Sequence, residues 1–170
     1  MKYIGLKKEM VRVVPHQNAW HINFQKEKNL ILSLNNKHIK GVEHVGSTSV
    51  EGMPAKPIID IAIGIDTYYN RSKLVKGLAG IGYEFKFEPR RYQSLFIKMD
   101  KGKDTHYLKI IRYKGVWWNE YMQFRKVLLT NRKFFEAYKN LKLNLGEKFL
   151  DNRKAYTKSK SDFIKKILKP

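Results

Sequence analysis

The chain has 170 residues, with 35 Lys+Arg against 15 Asp+Glu and a formal net charge of +20. It contains no cysteine, which excludes a disulfide framework, a thiolate nucleophile and Cys-based zinc or iron–sulfur sites. Its hydrophobic fraction of 42% and aromatic fraction of 13% are enough for a core, so the charge describes a basic globular protein and not a disordered tail.

No apolar run approaches the roughly 20 residues that span a bilayer, and the opening stretch Met1 to Lys8 has no signal-peptide apolar segment. The expectation is a cytoplasmic protein with no membrane association. Basic residues run from Lys2 to Lys169 without forming one block, and ribonucleoprotein runs, zinc-finger spacings and basic-zipper heptads are absent. Charge alone favours polyanionic ligands of any size, a nucleotide or other phosphorylated small molecule as well as nucleic acid.

After an extended stretch at Val11 to Pro15, residues Asn18 to Asn36 place Trp20, Phe24, Ile31 and Leu34 at near-helical steps, which predicts a helix capped by Asn18. His38 to Val45 reads as a short strand, and Gly46 to Pro54 as a loop of glycine and small hydroxylic residues. Pro57 to Ile65 is nearly continuous apolar sequence of strand length, the pattern of a strand covered on both faces, with Asp60 inside it. Tyr69 to Leu78 is helical in pattern and ends at Gly80 and Gly82. Tyr83 to Phe87, Gln93 to Met99 and Thr105 to Tyr113 follow as three strands, separated by Pro89-Arg90-Arg91 and by the hairpin turn Asp100-Lys101-Gly102-Lys103. Trp117 to Leu129, Arg132 to Leu145 and Asp151 to Leu168 are Lys-rich helical segments. The expected architecture is α+β, a mixed sheet flanked by helices: one domain over 1–170, with a sheet-containing core over 1–115 and a helical C-terminal part over 116–170.

The most informative segment is His44-Val45-Gly46-Ser47-Thr48-Ser49-Val50, followed by Asp60 on the next strand. A Gly-Ser pair closing a strand lets backbone approach a phosphate, with hydroxyls and loop N–H groups donating to its oxygens; an ordinary strand-to-loop turn is the plain alternative. A carboxylate on the following strand could hold a Mg²⁺ bridging those phosphates. A carboxylate inside an apolar strand must be paired, metal-bound or protonated, so Asp60 is either a site residue or the structural partner of Lys56, Lys109 or the Gly46 loop. His44 reads equally as a hydrogen-bonding support of the loop, a general base or a structural histidine. Lys56 is a cation in reach of an anionic ligand or a solvated lysine, and Arg90-Arg91 a triphosphate clamp or a charged turn. Trp117, Trp118, Tyr121 and Phe124 could stack on a base, but aromatics at helical spacing are more often core. His16, His21 and His38 have no metal-ligand spacing.

The string from His44 to Ile61 resembles the GrpB family, which is placed in the nucleotidyltransferase superfamily, through H-V-G-S-T-[SA]-V-x-G-[LM]-x-A-K-P-I-I-D-I with Met53 in the leucine position. Val14-Pro15, Trp20, Gly80-Ile81-Gly82-Tyr83, Phe124-Arg125, Tyr138, Leu141-Lys142, Tyr156, Lys160 and Phe163-Ile164 extend the resemblance over nearly the whole chain. It implies a nucleotidyltransferase-like fold. By the superfamily scheme, Gly46, Ser47, Thr48 and Ser49 would hold the phosphates of a nucleoside triphosphate. Asp60 would hold Mg²⁺ for nucleotidyl transfer to an unidentified acceptor, with His44 and His106 as further catalytic candidates and Lys56 or Arg91 neutralising charge. Three departures oppose this: Ala62 replaces the second acid, Lys109 stands where a histidine is usual, and Lys126 replaces an aspartate. If Lys109 faces Asp60, an ammonium stands where a metal would be, and the alternative is a non-catalytic module for anions, nucleotides or RNA. Glu43, Glu51 and Asp104 are the carboxylates that could restore a metal site, and none is expected to give two-metal geometry.

Overall fold

The computed structural model describes residues 4–168. Lys2, Lys169 and the two ends of the expected 1–170 span lie outside the described residues. The strands are β1 (Leu6–Lys7), β2 (Ile39–Val45), β3 (Ile59–Ile65), β4 (Tyr83–Arg90), β5 (Gln93–Asp100) and β6 (Lys103–Arg112). The helices are α1 (Ala19–Leu32), α2 (Ser72–Gly80), α3 (Val116–Thr130), α4 (Arg132–Lys148), α5 (Arg153–Ser159) and α6 (Ser161–Leu168), with 3₁₀ turns at Ser47–Ser49 and Tyr68–Arg71.

The six strands form one sheet in the order β2-β3-β6-β5-β4, with β1 pairing to β6. β3 and β6 run parallel, and the other strand pairs are antiparallel. β1 lies against Asp104 and Lys103, before the point where β3 first meets β6 at His106, so two strands share one side of β6 in succession.

β3 is apolar throughout because both its faces are covered. Ile59, Ile61, Ile63 and Ile65 are buried under Trp20, Phe24 and Ile31 of α1 and Leu74 and Leu78 of α2. Burying each isoleucine contributes about 2 kcal/mol. On the other face Ala62, with Val45 and Ile111, packs under Trp118 of α3. Gly64 makes room for that indole, since a Cβ there would lie 2.6 Å from the Trp118 ring. A third cluster joins Val50 and Met53 of the loop to Phe124, Leu128, Tyr138 and Ile167, fastening the C-terminal helices to the loop that precedes β3.

Three local expectations are corrected. Asn18 makes no capping hydrogen bond with its side chain; Asn131 and Asn152 do, accepting from the Phe134 and Ala155 N–H groups. β4 continues through Pro89 to Arg90, which an edge strand tolerates because an outward position needs no amide donor, and the reversal falls on Arg91 and Tyr92. The last helical segment is broken at Lys160 into α5 and α6.

Candidate functional site

The Gly46 loop and β3 meet at Asp60. Val45 pairs with Asp60 in the β2–β3 ladder, and Gly46 then turns with φ 69° and ψ −168°, a conformation open essentially to glycine alone. A Cβ on Gly46 would stand 2.8 Å from Asp60 Oδ2, so the carboxylate lies directly against the loop backbone. The Ser49 hydroxyl donates to the Gly46 carbonyl at 2.7 Å, and Thr48 Oγ1 and His44 Nε2 are 2.9 Å apart. Two of the three hydroxyls therefore hold the loop in shape. Ser47 shares a hydrogen bond with Tyr138 and lines the adjoining cavity.

Lys109 pairs in register with Ala62, on the same sheet face as Asp60. Its Nζ donates to Asp60 Oδ1 at 2.5 Å, across the space that the methyl group of Ala62 leaves open. Burial pulls the Lys109 ammonium down, but the charge of Asp60, that of Tyr121 and the direct hydrogen bond together leave it above the ordinary lysine range.

A cavity of about 410 Å³ opens beside this pair. Lys56, Arg90, Lys109, Lys142 and Lys160 line it alongside Tyr107, Tyr121 and Tyr156, with Asp60 as the carboxylate of the lining; Arg90 is paired outside it with Glu120 at 3.3 Å. The Tyr156 ring carries two ammonium groups, Lys56 at 5.1 Å and Lys160 at 4.2 Å from its centroid. Burial, with repulsion from Lys160 and Arg153, brings Lys56 down to about 7. Burial brings Lys160 down to about 8 against the pull of Asp60. Lys142 is 1% exposed, donates to the Pro54 carbonyl, and lies well below the usual range because it is desolvated beside Lys160 and Lys56. The arrangement concentrates excess cationic capacity in a low-dielectric recess, and that is the chemistry of an anion site.

The two catalytic histidine candidates face the other side of the sheet. His44 pairs with Ile61 and His106 with Ile59, positions that alternate with Asp60. His44 stacks on Phe24 at 4.7 Å, and His106 Nε2 lies 3.9 Å from Glu27, both against α1. Burial lowers His44 to about 3 and His106 to about 4, so both are neutral structural imidazoles at pH 7. Arg91 also lies elsewhere, in the wall of a separate cavity, and its neighbour Arg90 lines the Asp60 cavity. Lys142 and Lys160 were not singled out by sequence reasoning as cavity residues. The available signal was their position: Lys142 lies on the Tyr138–Leu141–Leu145 stripe of α4, and Lys160 four residues beyond Tyr156, so both are lysines on apolar helix faces. Trp118 and Phe124 are core as expected, but Tyr121 and Trp117 line cavities.

The residues do not fit the Mg²⁺ centre that the nucleotidyltransferase scheme implies. Glu43 is paired with Arg125 at 3.2 Å, and Arg125 also donates to the His44 carbonyl at 2.6 Å. Asp104 is paired with Arg153 at 2.5 Å and accepts from Tyr107; Glu51 is exposed. Among the described residues no group of three or more His, Cys, Asp or Glu side chains is placed to hold a metal ion. Two-metal chemistry needs several converging carboxylates, and here Asp60 meets an ammonium.

The sequence and the fold both have relatives. The chain is 32% identical over 170 residues to the glutamate-rich protein GrpB of Alkalihalophilus pseudofirmus, covering 97% of this chain and 98% of that one. It is 31% identical over 165 residues to a UPF0157 protein of Pseudomonas aeruginosa, covering 94% of this chain and 67% of the other. The crystal structure of the conserved protein GrpB from Enterococcus faecalis superposes with a TM-score of 0.83 at 30% identity, covering 92% of this chain and 94% of that chain. The model of the GrpB protein family matches residues 10–170, and the chain belongs to that family.

Proposed function

We propose that this chain binds a phosphorylated anion in the Asp60 cavity without a divalent metal. The observation that carries this reading is the Lys109 ammonium seated on Asp60 within a wall that also holds Lys56, Arg90, Lys142 and Lys160. A nucleotide or another phosphorylated small molecule supplies the matching charge, and about 410 Å³ is within the range of small-ligand sites. Ser47 and Thr48 of the loop line the cavity together with Lys56, Lys160 and Arg90, so hydroxyl and amine donors share its wall. Nucleotidyl transfer with Mg²⁺, the activity that the family resemblance implies, would need the carboxylates that Glu43, Ala62 and Asp104 do not bring to this place.

Calorimetric titration of ATP, GTP, CTP and UTP, with and without Mg²⁺, tests the proposal on the wild type and on Asp60→Asn. The expected result is binding that Mg²⁺ does not strengthen and that Asp60→Asn tightens by on the order of tenfold, because the substitution removes the one carboxylate that repels the ligand. Mg²⁺-dependent binding abolished by Asp60→Asn would instead establish a metal site, and no binding of any phosphate compound would end the anion reading.

A further inference from the structure

A cavity of about 810 Å³ lies apart from Asp60 and does not enter the proposed function. Its wall combines two kinds of group. Tyr69 is 78% exposed, and Tyr92, 43% exposed, meets the Tyr68 ring edge-on at 5.6 Å and carries the Arg91 guanidinium 4.8 Å from its centroid. Trp117 adds a third ring, held by its Nε1–H donating to the Arg91 carbonyl at 2.9 Å. Arg91, Arg112 and Lys114 stand among these rings, and none of the three forms an ion pair among the described residues. Asp66, the carboxylate in the wall, is already engaged by His38 Nδ1 at 2.8 Å and by the Thr67 N–H and Asn70 side chain. Single exposed aromatics are ordinary on a protein surface. Three around one concavity, interleaved with three cations lacking carboxylate partners, are the components of a stacking platform with a backbone track.

We propose that Tyr69, Tyr92, Trp117, Arg91, Arg112 and Lys114 form a site for single-stranded nucleic acid, in which an unpaired base stacks on the rings and flanking phosphates meet the cations. A mononucleotide site encloses most of its ligand; here Tyr69 stands open to solvent beside the guanidinium-stacked rings of Tyr92 and Trp117, which suits a strand that passes over the site. A duplex keeps its base faces stacked and cannot offer one to a recessed ring. The net charge of +20 supplies the long-range attraction that a polyphosphate backbone needs. The site is separate from the phosphate cavity. Arg90 lines that cavity and stacks on Trp117 at 4.7 Å, so the Arg90–Trp117 pair is the wall between the two.

The test is fluorescence anisotropy of a labelled oligothymidylate of about 12 nucleotides, with an oligouridylate and a duplex of the same length alongside. Either single strand binding at least about tenfold more tightly than the duplex supports the site. Tyr69→Ala should weaken binding by on the order of tenfold, and Tyr69→Phe should retain it. Tyr69 is 78% exposed, so neither substitution endangers the fold. Arg91→Gln with Lys114→Gln should lower the slope of log Kd against log salt by about 1.4. Equal binding of duplex and single strand, or unchanged binding by Tyr69→Ala, overturns the proposal. So does a loss on Lys160→Met as large as that on Tyr69→Ala, which would put the strand in the phosphate cavity.

Discussion

Anion binding in the Asp60 cavity should consume protons, and the amount follows from two lysines. In the free protein Lys56 lies at about 7 and Lys160 at about 8. At pH 8 Lys56 is then about 0.1 protonated and Lys160 about 0.5. A polyanion beside both ammonium positions favours the charged forms and returns them toward the ordinary lysine value, so binding takes up about 1.4 protons at pH 8. Linkage makes that number the slope of log affinity against pH. Integrated from about pH 7.5 to about pH 9, it weakens binding by about two decades.

Isothermal titration with inorganic tripolyphosphate measures this directly. Repeating the titration at pH 8 in two buffers of different ionisation enthalpy yields the proton number. Tripolyphosphate loses its own last proton within this window, so the uptake is taken as the difference between the wild type and the Lys56→Met, Lys160→Met double variant, which cancels the titration of the ligand. Lys56→Met should remove most of the uptake and Lys160→Met the smaller share, with the double variant binding more weakly and without uptake. Tripolyphosphate that binds with less than about 0.3 proton, or with constant affinity across the window, would refute the claim that these amines are held neutral by burial and recharged by the ligand.

Two further outcomes test the scaffold. His44 and His106 lie at about 3 and about 4 through burial, below the ordinary histidine value. The unfolded chain therefore takes up protons as the pH falls through about 6.5 while the folded chain does not, and stability that is complete above about 6.5 should fall by about 3 kcal/mol per histidine at pH 4. Urea unfolding at pH 7 and pH 4 checks this, and equal midpoints would mean that the imidazoles are not buried in neutral form. Gly46→Ala should cost about 2 to 4 kcal/mol, from backbone strain at φ 69° and from a Cβ 2.8 Å from Asp60 Oδ2, read as a lowered urea midpoint at unchanged m-value.

The fold was legible where burial wrote itself into composition. The apolar run around Asp60 announced a strand covered on both faces, and β3 is that strand, between β2 and β6. Its parallel partnership with β6 was not legible, because periodicity carries no information on which strands become neighbours. Part of the misplaced site was legible all the same. His106 and Lys109 are three residues apart on one strand, so they face opposite sides, and expecting Lys109 at Asp60 already excluded His106 from it. For His44 the face depends on its register opposite Ile61, which only the folded ladder specifies. Arg90 and Arg91 were not told apart for a similar reason: β4 runs on to Arg90, past its expected end at Phe87, and the place of the turn decides which arginine enters which cavity.

The three departures from the family pattern are not equivalent once placed in the fold. Lys126 lies exposed on α3 and lines no part of the Asp60 cavity, so its charge reaches the site only through solvent. Ala62 and Lys109 face each other in one register pair, where a second carboxylate would have repelled Asp60 in the absence of a cation. With a methyl group at position 62 and an ammonium at 109, Asp60 obtains its counter-charge from the protein, 2.5 Å away. Lys56, Lys142 and Lys160 then become intelligible as a group: each places an amine in a recess whose one carboxylate is already neutralised. They remain tolerable inside the fold because burial and the neighbouring cations lower the charge each carries.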